Sequence, residues 1–470
     1  MLKPLVAVVG KPNVGKSTFF NRICGKRVSI VQNTPGVTRD RLYADAEWCG
    51  REFTLVDTGG LELKNEDEMW RHIRAQAEAA VDSADVIVFL TDAKTGVSLD
   101  DDLVAAYLRK TDKPVLLAVN KVDNNERHLV YDFYSLGLGE PFGISAEQGK
   151  GLTELLDAII ENFPKEKNAS AEYASDNEFA DKTASDGETA GDASDGESTP
   201  DAVIRIAVVG KPNAGKSSLV NKILGYDRSI VSGIAGTTRD AVDTDFTANG
   251  RRYTIVDTAG MRKKRAVEEE LESLSVMRSL ASIRRADVVL VIVDAKEGLT
   301  EQDVKIAGYA HEQGKPSVIV MNKWDVVEKD AYTADKIKAA LAEDLKFMDY
   351  MQTCFISALT GRRANAVLPL VDKVYENSKR RIKTGLLNDV LGDAVRVNEP
   401  PAHKGRRLKI YFMSEVAVAP PSFAVFVNDP ELMHFSYERY LENSIRKSFD
   451  FSGTPIKIFI RAKKGNTQLF

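Results

Sequence analysis

A block of sequence occurs twice in this chain. Leu5-Val-Ala-Val-Val-Gly-Lys-Pro-Asn-Val-Gly-Lys-Ser17 returns as Ile206-Ala-Val-Val-Gly-Lys-Pro-Asn-Ala-Gly-Lys-Ser217. Thr54-Leu-Val-Asp-Thr-Gly-Gly60 returns as Thr254-Ile-Val-Asp-Thr-Ala-Gly260, and Val119-Asn-Lys-Val-Asp123 as Met321-Asn-Lys-Trp-Asp325. The segments keep their order at an offset of about 200 residues, far longer than a solenoid repeat, so a whole domain is duplicated. Within each copy, short apolar runs such as Val86-Ile-Val-Phe-Leu90 and Val115-Leu-Leu-Ala-Val119 alternate with longer helical patterns. Continuous apolar runs separated by helices are strands buried on both faces of a largely parallel sheet. The predicted fold is therefore α/β, with two tandem doubly wound domains.

Gly10 to Ser17 and Gly210 to Ser217 both satisfy G-x-x-x-x-G-K-[ST] between a strand and a helix, which is the context a phosphate-binding loop needs. Gly10, Gly15, Gly210 and Gly215 let backbone N–H groups wrap phosphates, and the helix that follows, opening with Ser17-Thr18 and Ser217-Ser218, adds a favourable dipole. Lys16 and Lys216 are placed to reach the β- and γ-phosphates, and the hydroxyls of Ser17 and Ser217 to ligate Mg²⁺. Asp57 and Asp257 follow apolar strands, where an acidic residue holds Mg²⁺ through water, and Gly60 and Gly260 stand where a γ-phosphate contact belongs. Gly36-Val-Thr-Arg-Asp40 and Gly236-Thr-Thr-Arg-Asp240 supply Thr38 and Thr238, candidates to close over Mg²⁺ and the γ-phosphate.

The last repeated segment selects the base. Asp123 and Asp325 can accept from the ring N–H and exocyclic amine of guanine, while Asn120 and Asn322 meet its opposite polar edge. Adenine would face each carboxylate with an acceptor and no amine, a buried mismatch worth several kcal/mol. Lys121 and Lys323 can lay their stems over the ring, and Ser145-Ala146 and Ser357-Ala358 match a loop that supports the same base. The ordered set points to GTP and GDP as ligands.

With two such domains and a C-terminal tail, the chain resembles the EngA/Der family of ribosome-assembly GTPases, within the Era-like, translation-factor-related P-loop GTPases. The resemblance implies GTP hydrolysis, docking on the large (50S) ribosomal subunit precursor and its rRNA, and a monomeric protein. Many GTPases orient the attacking water with a glutamine after Asp-x-x-Gly, but Leu61 and Met261 stand there, and an apolar side chain cannot polarise water. Another group must act. In similar GTPases the position of Asn13 and Asn213 helps hold a K⁺ ion where an arginine finger would otherwise neutralise charge. This implies slow basal turnover stimulated by K⁺. An alternative is a nucleotide-gated RNA- or ribosome-binding scaffold in which only one site turns over.

Charge is segregated along the 470 residues. The formal net charge of -5 argues against a nucleic-acid partner, yet the stretch from Asn168 to Asp201 alone holds ten acidic residues against one basic, Lys182. Without that stretch, which reads as a disordered tether, the remainder carries 63 basic and 59 acidic residues, a net +4. Residues 370 to 470 carry 17 basic against 11 acidic, and their order of strands at 408–412, 423–427 and 456–460 with a helix over 437–449 resembles the family's KH-like domain. In that helix Tyr437, Leu441, Ile445 and Phe449 form a buried face. The apolar character of this region suggests that it packs between or against the GTPase domains. No G-x-x-G clamp occurs in it, so RNA contact would rest on Lys404, Arg406, Arg407, Lys463 and Lys464 meeting phosphates. A second basic run, Arg262 to Arg265, is a candidate for state-dependent contact with RNA or a neighbouring domain.

The expected organisation is a first GTPase domain over 1–165, an acidic linker over 166–202, a second GTPase domain over 203–378 and a KH-like domain over 379–470. Three scattered cysteines, Cys24, Cys49 and Cys354, and the lack of a long apolar run suggest a reducing, cytoplasmic setting with no membrane association.

Overall fold

The computed structural model describes residues 3–25, 43–57, 77–78, 80–122, 127–164, 203–225, 230–231, 243–258, 272–328, 330, 332–400, 402–403 and 406–463. The chain divides into two compact units, one formed chiefly by residues 3–30 and 40–202 and the other by 203–470.

In the first unit, β1 (Leu5–Val9), β2 (Tyr43–Trp48), β3 (Arg51–Asp57), β4 (Val86–Asp92), β5 (Val115–Asn120) and β6 (Phe142–Gly143) form one sheet in the order β2-β3-β1-β4-β5-β6. Only β2 runs antiparallel to its neighbour. Every residue of β1 and β4 is buried, as continuous apolar runs require when helices cover both faces. Among those helices are α1 (Lys16–Gly25), α2 (Leu99–Leu108) and α3 (Leu152–Glu161), the last burying Leu152, Leu155, Leu156 and Ile159 at helical spacing.

The second unit repeats the plan with β7 (Ile204–Val209), α4 (Lys216–Leu224), β8 (Ile230–Val231), β9 (Thr244–Ala248), β10 (Arg251–Ile255), α5 (Glu272–Arg285), β11 (Val288–Asp294), α6 (Glu301–Glu312), β12 (Ser317–Asn322), α7 (Thr333–Asp344), β13 (Gln352–Phe355) and α8 (Val367–Lys379). Its sheet order is β13-β12-β11-β7-β10-β9-β8. Both copies start their β4- or β11-following helix with a capping box, Ser98 with Asp101 and Thr300 with Asp303.

The chain continues through α9 (Thr384–Val397), the short pair β14 (Ala402–His403) and β15 (Arg406–Arg407), β16 (Ile410–Ala417), β17 (Ser422–Val427), α10 (Phe435–Ser448) and β18 (Lys457–Ala462). β17 is central, antiparallel to β16 and parallel to β18. Leu387 and Leu391 of α9 and Tyr437, Leu441 and Ile445 of α10 share a core with Phe423, Val425 and Val427. The expected helix face is thus buried, with Phe449 only packed against its edge. The strand expected at 408–412 is displaced toward the C-terminus, and Tyr411 and Phe412 are exposed on it because a bulge after Ile410 breaks the alternation.

Within the second unit, the C-terminal elements are joined to the duplicated fold by backbone hydrogen bonds. The Ser317 amide, at the start of β12, donates to the Gly453 carbonyl at 2.8 Å, and the Gly453 amide donates to the Tyr350 carbonyl at 2.7 Å. Asn377 Nδ2 donates to the Ser452 carbonyl, and Thr454 Oγ1 donates to the Val374 carbonyl. The Arg446 guanidinium lies 4.4 Å from the centre of the Tyr350 ring, whose hydroxyl meets His311 Nδ1 at 2.8 Å. No helix among the described residues is long and apolar enough to cross a membrane.

Candidate nucleotide-binding sites

Each phosphate-loop motif lies between a buried strand and a helix, at the C-terminal edge of the sheet. Gly10 is packed so closely against β4 that a Cβ there would sit 2.2 Å from the Leu90 carbonyl oxygen, and at Gly210 a Cβ would sit 2.3 Å from that of Ile292. At Gly15 and Gly215 a Cβ would fall 2.4 and 2.1 Å from the amide nitrogens of Asn120 and Asn322. Sequence requires glycine for phosphate approach. The structure adds that these glycines admit the neighbouring strand and the base-site asparagine.

Lys16 is buried, and its Nζ donates to the Gly10 and Lys11 carbonyls at 2.6 and 2.8 Å. Lys216 Nζ donates to the Gly210 and Lys211 carbonyls at 2.8 and 2.6 Å. Burial lowers the Lys16 ammonium to about 8, with the Asp57 carboxylate opposing the shift. An ammonium held on two carbonyls of the phosphate loop is poised to meet phosphate oxygens.

Ser17 and Thr18, like Ser217 and Ser218, lie exposed at the start of their helices, and Asn13 and Asn213 are exposed in the loops with φ of +65° and +62°. Ser17 Oγ donates to Asp57 Oδ2 at 3.1 Å, so a hydroxyl and a carboxylate stand side by side. That hard-oxygen pair at the edge of a phosphate loop suits Mg²⁺, which takes few protein ligands and shares its shell with phosphate. The two copies differ here. β3 runs through Asp57, whereas β10 stops at Ile255 and Asp257 is left-handed, with φ of +59°. The Asp257 amide donates to Asp243 Oδ1 at 3.0 Å, a side-chain bond that diverts the backbone from the sheet.

At the base site, Asn120 Nδ2 donates to the Val14 carbonyl at 2.7 Å and its Oδ1 accepts the Ala146 amide at 2.9 Å. Asn322 repeats the bridge to the Ala214 carbonyl at 2.8 Å and from the Ala358 amide at 2.9 Å. Sequence assigned these asparagines to the base; their visible work is to tie the phosphate loop to the Ser-Ala loop, leaving one N–H each for a ligand. The loops are themselves closed, as the Ser145 and Ser357 amides donate to the Lys150 and Arg362 carbonyls and their hydroxyls accept from Gln148 and Thr360. Arg363, where the first copy has Gly151, adopts the same left-handed conformation, φ +58° against +68°. Lys121 Nζ donates to the Asn13 carbonyl and to Asp92, and Lys323 Nζ donates to Asp294. Asp92 and Asp294 belong to no expected motif. Asp325 is exposed beside this cluster.

Thr38, Gly60, Asp123, Thr238 and Gly260 lie outside the described residues, as do Leu61, Met261, the basic run at 262–265, Lys404, Lys464 and the acidic segment from 166 to 202. Arg406 and Arg407 are exposed and paired with Asp429 and Glu399, and Lys463 lies 4.8 Å from the Tyr411 ring centre.

Two phosphate loops of one design, each beside an Asn-Lys pair, define a protein with tandem GTPase domains. A family model described as a 50S ribosome-binding GTPase matches residues 5–121 and again 205–323, and one described as the KH-domain-like C-terminal domain of EngA bacterial GTPase enzymes matches 381–461. The chain is 52% identical over 465 residues to GTPase Der from Geobacillus thermodenitrificans (strain NG80-2), covering 99% of this chain and 100% of that protein. The same coverage holds for GTPase Der from Geobacillus kaustophilus (strain HTA426) at 52% identity and from Listeria innocua serovar 6a at 50%. The chain belongs to the EngA/Der family of GTPases.

Proposed function

We propose that this GTPase is a nucleotide-dependent switch that docks on the large ribosomal subunit precursor during ribosome assembly. The observation that supports the reading most is the repeated Asn bridge, at Asn120 and Asn322, joined in one chain to a KH-like module. In this reading residues 1–165, 203–378 and 379–470 are the functional domains, and 166–202 is a tether.

Loop amides and Lys16 or Lys216 bind the phosphates, Asp123 and Asp325 read the guanine edge, and Thr38, Gly60, Thr238 and Gly260 respond to the γ-phosphate. Ser17, Thr38 and Asp57, with Ser217, Thr238 and Asp257, form the Mg²⁺ sites. Bound Mg²⁺ supplies charge neutralisation on the phosphates. Asn13 and Asn213 hold K⁺, which supplies the positive charge that an arginine finger would otherwise bring. Arg406 and Arg407 are available to rRNA phosphates, because exposed ion pairs hold them by only about 0–1 kcal/mol, and Lys463 beside the Tyr411 ring joins them.

The test is co-sedimentation with large-subunit particles in GDP, in a non-hydrolysable GTP analogue and without nucleotide. Docking that differs between states and weakens with salt is expected; no docking in any state at low salt would sink the proposal. A second reading, in which only one site turns over, is favoured by the left-handed turn at Asp257 that Asp57 lacks. Lys16→Ala and Lys216→Ala separate the two, since full turnover in either variant assigns all chemistry to the remaining site.

A further inference from the structure

The lysine of each Asn-Lys pair leaves the backbone from a left-handed conformation, φ +66° at Lys121 and +59° at Lys323, that places its side chain beside the base site. Each ammonium ends on a carboxylate from a neighbouring strand. Lys121 Nζ donates to Asp92 Oδ2 at 2.6 Å and Lys323 Nζ to Asp294 Oδ2 at 2.7 Å. Both aspartates close their strands, β4 and β11, and are the register partners of the bridging asparagines, Asp92 with Asn120 and Asp294 with Asn322. The second oxygen is also fixed, accepting the Lys94 amide at 3.0 Å in one copy and the Lys296 amide at 2.9 Å in the other.

Exposure separates the roles of the two partners. The Asp92 and Asp294 side chains are 6% and 5% exposed, while the lysines remain 37% and 38% exposed. The carboxylate is therefore a fixed anchor, and the lysine stem stays at the surface where a ligand arrives. Burial works against the Asp294 charge, yet Lys323 and the Lys296 amide hold its carboxyl below the usual range.

We propose that Asp92 and Asp294 are positioning residues for guanine-nucleotide recognition, each tethering its lysine so that the aliphatic stem lies along the base while the ammonium points away from it. The inference rests on the reading that Lys121 and Lys323 cover the ring. An untethered lysine would lose its rotamer freedom when the nucleotide binds; a tethered one has lost it on folding. The effect falls on binding and not on chemistry, because the lysine serves the base and not the γ-phosphate. Two copies of the arrangement in one chain give two independent places to test it.

The full chain carrying Lys16→Ala, so that only the second site turns over, is assayed for GTP hydrolysis with Asp294→Asn, Lys323→Met and both together. Asp294→Asn is expected to raise KM roughly 5- to 20-fold with kcat within about twofold, and the double variant to be no worse than Lys323→Met, since the aspartate acts through the lysine. Asp294→Glu restores the charge and should recover part of the KM. Multiplying KM penalties in the double variant would overturn the inference, as would a changed kcat with KM intact. Wild-type KM in Asp294→Asn but a raised KM in Lys323→Met defeats the inference and leaves the base-face reading standing; wild-type KM in both defeats the two together. Asp92→Asn with Lys121→Met in a Lys216→Ala chain repeats the test should Asp294→Asn fail to fold.

Discussion

Replacing Asn322 by alanine tests whether the base-site asparagine is first a structural bridge. The side chain is buried and satisfies two main-chain groups, the Ala214 carbonyl and the Ala358 amide, at residues that are themselves buried. Asn322→Ala leaves both main-chain groups without their hydrogen-bond partner in a buried site. At about 1–3 kcal/mol for each orphaned buried group, the loss is about 2–6 kcal/mol. Each kcal/mol moves the Tm of a domain of this size by about 2–4 °C, so a fall of roughly 4–24 °C is expected. Calorimetry of the full chain without nucleotide is the assay, because the bridge needs no ligand. The first unit, with Asn120 intact, serves as an internal reference whose transition should stay in place. If the second unit's transition does not move while GDP affinity collapses, the asparagine acts on the base alone and the bridge argument is wrong.

Three further outcomes are expected. GDP affinity at the first site should fall as pH rises through about 8, because phosphates favour the charged form of Lys16 and binding must then take up a proton; titration calorimetry in a Lys216→Ala chain that shows a flat affinity over this range would contradict it. Burial, with Arg446 and Lys457 adding to it and Asp349 opposing, lowers His311 from 6.5 to about 4, so the unfolded chain binds the extra proton between those values. The stability this neutral histidine contributes, up to about 3 kcal/mol, is present above about pH 6.5 and is lost as pH falls toward 4, a slope that His311→Gln should flatten in denaturant titrations. Turnover should rise when K⁺ replaces Na⁺, and Asn13→Ala and Asn213→Ala should remove that difference; equal rates in the two salts would exclude a monovalent-cation role for the asparagines.

The duplicated motifs were legible because each packs several constraints into a few adjacent positions: glycines that admit a strand, a lysine, a hydroxyl and a helix start. Asp92 and Asp294 escaped notice because each is a lone carboxylate at the end of an apolar strand, and its lysine lies 29 positions downstream. Only the sheet register brings the two together. Residue type alone did not show the bridging role of Asn120 and Asn322, because an asparagine suits a base edge and a main-chain bridge equally well. Backbone hydrogen bonds leave no trace in composition, so the attachment of Gly453 to Ser317 and Tyr350 could not be anticipated from a polar loop. Tyr411 and Phe412 look like core residues in a strand pattern, and one bulge turns them outward.

The attachment at Gly453 makes the duplicated halves unequal as pieces of protein. The six residues of β12 span roughly 20 Å, with the C-terminal loop hydrogen-bonded at one end and Asn322 at the other. A fragment ending near residue 380 would expose the Ser317 amide and strip Arg446 from Tyr350. The second GTPase fold is thus not a transplantable part. The first is built differently at the corresponding helix end: counted from the helix N-caps Ser98 and Thr300, Arg109 holds the place of His311, and its guanidinium is spent on the Leu136 carbonyl of its own unit. Exchanging the copies would set an arginine against Tyr350, so the second copy of the fold is complete only with the C-terminal elements that follow it.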